Sequence, residues 1–318
     1  MLSLTAMSPS TLSRIPSGHN LVLASFIACA NLGALLIAPL LHEFPVAAPI
    51  LATLAALASP THWALIHEGI HGLLLPGRGA NERLARVLAI LFGAPFRAVR
   101  FAHLRHHRYN RTVAGREEVY DPAERTRAAA FVMHYLRITC GLYIGELALS
   151  LLCWLPRSVL RRHLAELCPD LRDGSGSMMA VAERDVLGAK ALMQIRIDAL
   201  AVVTLYGTAF ALYGARWPIL AAMLGVRAFL ASQLDHAPHH GTPLDRREHA
   251  LNLAAPSWLR AVLLNFNLHR AHHEHPHLPW RALPARATHE HGDISFARAV
   301  LRQWRGPIAL PRAAAIER

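Results

Sequence analysis

The chain has 318 residues, of which 53% are apolar and only 17% charged, with a mean hydropathy of +0.26. This excludes a disordered or collagen-like chain, and four cysteines without a CxxC pair exclude a disulfide scaffold, a thiolate zinc site and a redox dithiol. The net charge of +12 comes almost wholly from arginine, Lys190 being the single lysine, and beside long uncharged blocks it points to anionic lipid rather than nucleic acid as the partner.

Residues 1–20 are rich in Ser, Thr and Pro and read as a loose N-terminal segment. Leu21–Leu41 is uncharged over 21 residues, longer than the roughly 7–15 of a secretory signal core, and reads as a first membrane span. After His42 and Glu43, Phe44–Ile66 forms a second uncharged run, with Trp63 where an interfacial aromatic belongs. Arg83–Arg100 places Leu84, Val87, Leu88, Leu91 and Phe92 at helical spacing among arginines, the pattern of one helix lying in the interface. Ala129–Leu155 is apolar but carries Arg137 and Glu146, and residues 157–190 read as a polar linker with a Gly-Ser run at Gly174–Ser177. Leu192–Tyr213 and Trp217–Leu234 form a helical hairpin around Gly214–Arg216. The stretch from Pro243 onward is arginine-rich, and residues 293–318 read as a basic cytoplasmic tail.

Orientation follows from loop charge. The link between the first two spans has no Lys or Arg, whereas residues 78–127 hold eleven arginines and residues 243–318 eleven more, which puts both regions on the cytoplasmic side. The 27 residues of Ala129–Leu155 are too few for two crossings of about 20 each, and one crossing would separate the two regions. The segment is therefore expected to be interfacial or re-entrant, leaving four spans.

Of 21 histidines, six lie between residues 62 and 107 and eleven between 236 and 291. Histidine crowded beside membrane spans marks metal or proton chemistry. Three boxes stand out: His67-Glu-Gly-Ile-His71, His103-Leu-Arg-His106-His107 and His269-Arg-Ala-His272-His273. On a helix, imidazoles at i and i+3 share a face with i+4 beside them, so one HxxHH unit can serve a metal and its neighbour. Eight imidazoles are twice what one tetrahedral zinc takes, which suits a dinuclear site; neutral nitrogen ligands do not by themselves choose among Fe, Zn and Cu. Isolated histidines such as His19, His42, His134 and His163 are read as surface or interfacial. His62, one turn before the first box, fits either a hydrogen-bonding support or an interfacial residue, and His249, His275, His277, His289 and His291 are placed on the basic cap.

HEGIH, HLRHH and HRAHH, in this order and at these positions, resemble the three histidine boxes of the membrane fatty acid desaturase superfamily. The third box extends the likeness, running from Asn265-Phe-Asn267 through His273 to Pro279-Trp280 and Pro284, and the resemblance covers roughly residues 20–290, which defines a domain of residues 21–292. It implies an all-α integral membrane protein of about four transmembrane helices with a cytoplasmic helical cap carrying the boxes. It also implies two non-haem iron ions with O2 as co-substrate, a lipid acyl substrate, and a site on the cytoplasmic face of what would be a bacterial inner membrane. No haem, iron–sulfur or flavin motif is present, so electrons are expected from a separate ferredoxin or cytochrome-type donor. In Asp235-His236-Ala-Pro238-His239-His240-Gly241 two helical frames are open, Asp235 with His239 or His236 with His240. A histidine followed by one residue and then Gly-Thr resembles bacterial members of the family, which implies His239 as a ninth ligand with Asp235 as its water-mediated companion.

Two alternatives differ in chemistry. A hydroxylase or ketolase acting on carotenoid or alkyl chains would share the boxes, although the H-x3-H first box is the acyl desaturase form. An intramembrane HExxH zinc protease would use Glu68 as general base but leaves six box histidines unexplained. A metal transporter would place its ligands at mid-membrane rather than at span ends.

Overall fold

The computed structural model describes residues 14–169, 177–287 and 294–310. The Gly-Ser run before Ser177, together with His289 and His291, falls outside them. The described residues are mostly helical, with one parallel pair of two-residue strands as the departure from an all-helical chain.

Helix α1 (Ser17–Leu32) starts within the segment expected to be irregular and continues through a π turn (Gly33–Ile37) and a 3-10 turn to Leu40. The second apolar run is two helices, α2 (Ala47–Leu57) and α3 (Ser59–Ile70), bent by 45°. Pro60 explains the break, since a proline is tolerated in a helix's first turn but not in its interior. Trp63, expected at an interface, is instead buried in the core beside Phe92.

The single helix expected over Arg83–Arg100 is also two, α4 (Arg78–Phe92) and α5 (Phe96–Tyr109), meeting at 95°. Gly93 ends α4 with φ +112, and a Cβ there would lie 2.8 Å from a Leu147 methyl, so the corner needs glycine. Pro95 then precedes α5. Strand β1 (Val119–Tyr120) is followed by α6 (Arg127–Leu136), a π turn and α7 (Leu142–Leu152). The expected linker after it contains α8 (Arg157–Leu167) and α9 (Met178–Asp185). The hairpin is α10 (Ala189–Tyr213) and α11 (Trp217–His236), and the further described elements are α12 (Ser257–Val262), α13 (His269–Glu274), α14 (Phe296–Gln303) and β2 (Ile308–Ala309).

Three helical stretches are long and apolar enough to cross a membrane, Ser17–Leu40, Arg127–Leu152 and Ala189–His236, the last containing the hairpin; the two bent pairs raise the number to as many as five. Outward side chains such as Val22, Ile50 and Leu200 are apolar and exposed, as lipid-facing positions are. Hydrogen bonds identify the ends. Near the start of α1, Asn20 donates to the Leu74 carbonyl just past the first box and accepts from the Trp280 indole, while at its far end Ala34 and Pro39 accept from Tyr213 and Arg216 at the hairpin turn. Residues 127–155 touch the opposite ends of the hairpin helices: Ile138 accepts from Gln233 near the end of α11, and Cys153 accepts from Arg196 near the start of α10.

Candidate metal centre

The first box ends α3, where the close approach of α4 fixes it. A Cβ on Gly69 would sit 2.5 Å from that of Ala85, so only glycine fits between His67 and His71. Asn81 of α4 donates to the Gly69 carbonyl and accepts from the Leu74 amide, satisfying groups the helix end leaves open. The second box lies on α5, aimed back toward α3 by the Gly93–Pro95 corner. The third follows two residues with left-handed backbone, Leu264 (φ +48) and Asn265 (φ +56). Asn tolerates this conformation, but at Leu264 it costs on the order of 1–3 kcal/mol. Asn265 donates to the Trp280 carbonyl, Asn267 to that of Leu253, and the Asn252 side chain accepts from the Ala271 amide, which together hold α13 in place. Asn252 and Asn81 carry no motif of their own and are legible only from the folded chain.

The nine histidines singled out in the sequence converge in two groups. His67, His71, His103, His107 and His272 form one, and His106, His239, His269 and His273 the other; within each, the candidate ligand atoms lie within 4.8 Å of one another. In the second box, His103 and His107 go to the first group and His106 to the second; in the third box, His269 and His273 go to the second group and His272 to the first. The residues sharing a group are thus i and i+4, not i and i+3. Successive residues turn by about 100°, so i+4 lies only about 40° from i, whereas i+3 lies about 60° away on the other side. The groups adjoin: His107 and His273 stack with ring centroids 4.3 Å apart, and the edge of Phe266 meets both His67 and His269.

The donor set suits metal cations. In the first group the Nε2 atoms of His71, His103, His107 and His272 form a chain of contacts, each 3.0 Å long. Hydrogen bonding alone serves this chain poorly, because an imidazole nitrogen has one proton or one lone pair and the two middle nitrogens would each have to share theirs twice. Four lone pairs directed at one cation would remove the conflict. Buried His67 Nε2, His106 Nε2 and both ring nitrogens of His239 have no hydrogen-bond partner among the described residues. Burial, joined by neighbouring imidazoles, pushes His239, His272 and His273 well below the usual histidine range and His269 to about 3. They therefore stay neutral, as ligands must.

Asp235 lines a small polar cavity with His106 and His239, offering about 20 Å3 of room for a water centre. That is enough for one water. His236 and His240, the other frame, join neither group: His236 approaches Glu117 at 3.5 Å, and His240 donates to the Gly306 carbonyl at 3.1 Å. Glu68 also stands apart. Its carboxylate accepts from the Trp280 amide, and it belongs to neither histidine group. His62 supports neither group, bonding instead to the Leu88 carbonyl, and His134, read as a surface residue, is buried and donates to the Gln303 carbonyl.

No curated protein matches the chain. The family model described as "Fatty acid desaturase" matches residues 43–304, a stretch that holds both histidine groups and every element from α2 to α14, and the chain belongs to that family.

Proposed function

We propose that this protein is an O2-dependent membrane oxidoreductase that introduces a double bond into a lipid acyl chain, with two irons held by the nine histidines. The observation that carries the reading is the division of those histidines into two adjoining groups of neutral nitrogen donors within a chain of this family. Bound iron would supply the oxidising power needed to take hydrogen from an unactivated C–H bond. The protein holds the donor nitrogens in register from α3, α5, α13 and the turn after α11, and keeps bulk water from most of them by burial. Asp235 is the water-holding partner of His239 across their shared cavity. Overall, –CH2–CH2– with O2, two electrons and two protons gives –CH=CH– and two waters, and the electrons come from an external donor of ferredoxin or cytochrome type.

Four crossings fit the contacts best: Ser17–Leu40, the bent pair α2–α3, α10 and α11. Ile138 and Cys153 both meet the hairpin at its ends away from the turn, near Gln233 of α11 and Arg196 of α10, which supports a re-entrant or interfacial course between them. Single cysteines replacing Glu43 and His277 should therefore react with an impermeant thiol reagent from opposite sides of the membrane. Labelling of both from one side would overturn this topology.

The reaction is tested by mass spectrometry of total lipid and pigment extracts from a host expressing the chain with an electron donor. An acyl product lighter by two hydrogens is expected. A product that gains oxygen, on an alkyl chain or a carotenoid, would reject desaturation in favour of hydroxylation or ketolation.

A further inference from the structure

We propose that segment 294–310 is a strap whose hold on the turn after α11 positions His239, so that the four-histidine group depends on it more than the five-histidine group does. The inference rests on the two-group reading of the metal centre. His239 lies beyond the end of α11, in a turn secured from within by the amides of His239 and His240 on the His236 carbonyl and by Thr242 on the His239 carbonyl. A turn without a continuing helical ladder takes its position from tertiary partners.

The strap supplies these partners at several points. His240, next to His239, donates to the Gly306 carbonyl at 3.1 Å, and Gly241 donates to Glu118 Oε1. Glu118 is itself tied to the strap through its carbonyl, which accepts from Ile308 in the β1–β2 pairing. The buried Arg111–Glu118 ion pair extends the link, with Arg111 donating to the Thr242 carbonyl at 2.7 Å. Gln303 donates to Gln233 of α11, and its carbonyl accepts from His134. The strap's start reaches the third box as well: Ala254 exchanges amide bonds with Ile294 and Phe296, and the neighbouring Leu253 bonds to Asn267, two residues before His269. Among the described residues, Ala299 of α14 packs with Ala237 and Leu253 in one small apolar cluster.

The outer face of the strap explains how a short terminal segment stays in place. Leu301 and Trp304 are exposed, and the Trp304 ring lies beside Phe229 on the outward face of α11. An apolar and indole-bearing edge at this level suits the bilayer interface.

Two substitutions lift the strap without touching a histidine. Gly306 has φ +102, and a Cβ there would meet the Phe131 ring at 3.2 Å, so Gly306→Ala displaces the carbonyl that His240 uses. Ile308→Pro removes the amide that bonds to Glu118 at a half-exposed position, and Ile308→Val, which keeps it, is the control. Hydrogen exchange on the metal-free protein should show amides of residues 236–243 exchanging about tenfold faster in both lifted variants, with residues 98–109 unchanged. Iron in the loaded protein should fall from two per chain toward one, with loss of the magnetic coupling of an iron pair, and Ile308→Val should behave as the parent. Unchanged exchange with two irons retained, or equal loss from both groups, would overturn the strap. A parent protein that never holds two irons would count against the proposed function instead, while the exchange comparison still decides the strap.

Discussion

His239→Ala is expected to strip one iron from each chain and abolish turnover, whereas His240→Ala, which loses one tie to the strap but no ligand, lowers iron only in part, as Gly306→Ala does. The two side chains are neighbours in one turn, but His239 sits with His106, His269 and His273, its ring nitrogens without a hydrogen-bond partner among the described residues, while His240 is turned away to the Gly306 carbonyl. The group of four has no donor to spare, so losing any of its members leaves three nitrogens. The group of five keeps four after a single loss. Alanine at His106, His239, His269 or His273 should therefore cost iron outright, and alanine at His67, His71, His103, His107 or His272 should weaken binding while still stopping the reaction. Since losing only a hydrogen-bond partner of a ligand typically costs 10–100-fold, loss of a ligand should exceed about 100-fold in activity. Iron per chain, measured beside the yield of desaturated lipid, separates the cases. Two irons and full activity in His239→Ala would remove it from the ligand set and leave the eight box histidines standing.

The boxes were legible because chemistry constrains them: a histidine that must supply a lone pair has few substitutes, and helical periodicity keeps its neighbours at i+3 and i+4. The partition between groups was not, since spacing shows which residues share a face but not which way that face turns, and the Gly93–Pro95 corner decides this. That corner was itself hidden inside a continuous amphipathic pattern, where hydrophobic periodicity runs on across a glycine made indispensable by its positive φ and by Leu147, over fifty residues away. The ends of the spans were readable from charge, but their interiors were not. The apolar runs gave no sign that Asn31, His62 and Arg227 meet inside the helices, because each looks like a lone polar residue until the chains are packed. The helices at Arg157–Leu167 and Met178–Asp185 were missed for a related reason, having too few apolar positions to stand out against a polar background.

Arg227→Leu is expected to destabilise the protein by on the order of 1–3 kcal/mol without touching a histidine. Arg227 is fully buried in α11, and among the described residues no carboxylate pairs with it. Its guanidinium donates to Asn31 Oδ1 at 2.5 Å and to the Tyr206 hydroxyl at 2.9 Å, with longer bonds to Ser59, to Tyr143 and to the Leu91 and Phe92 carbonyls that end α4. It also lies over the Phe92 ring. Two effects oppose each other in the substitution. Removing a buried charge recovers its desolvation cost, which makes many such replacements neutral. Here, however, leucine would leave the buried Asn31 Oδ1 without its donor, at about 1–3 kcal/mol for a group left unsatisfied, while the Leu91 and Phe92 carbonyls keep the Tyr206 and Tyr143 hydroxyls as donors. The stranded acceptor, with the packing over the Phe92 ring that is lost beside it, outweighs the recovered cost by on the order of 1–3 kcal/mol. Arg227→Lys keeps the charge but has one compact head in place of a planar fork, so it should recover only part of the loss. Because α4 leads through Gly93 into the helix that carries His103, His106 and His107, the Leu variant should shed iron at lower temperature as well as unfold there. Melting in detergent, followed by size-exclusion fluorescence and iron release together, checks both. If Arg227→Leu melted within about 2 °C of the parent, a shift of less than about 1 kcal/mol, the guanidinium would not be what holds the α4 end in place.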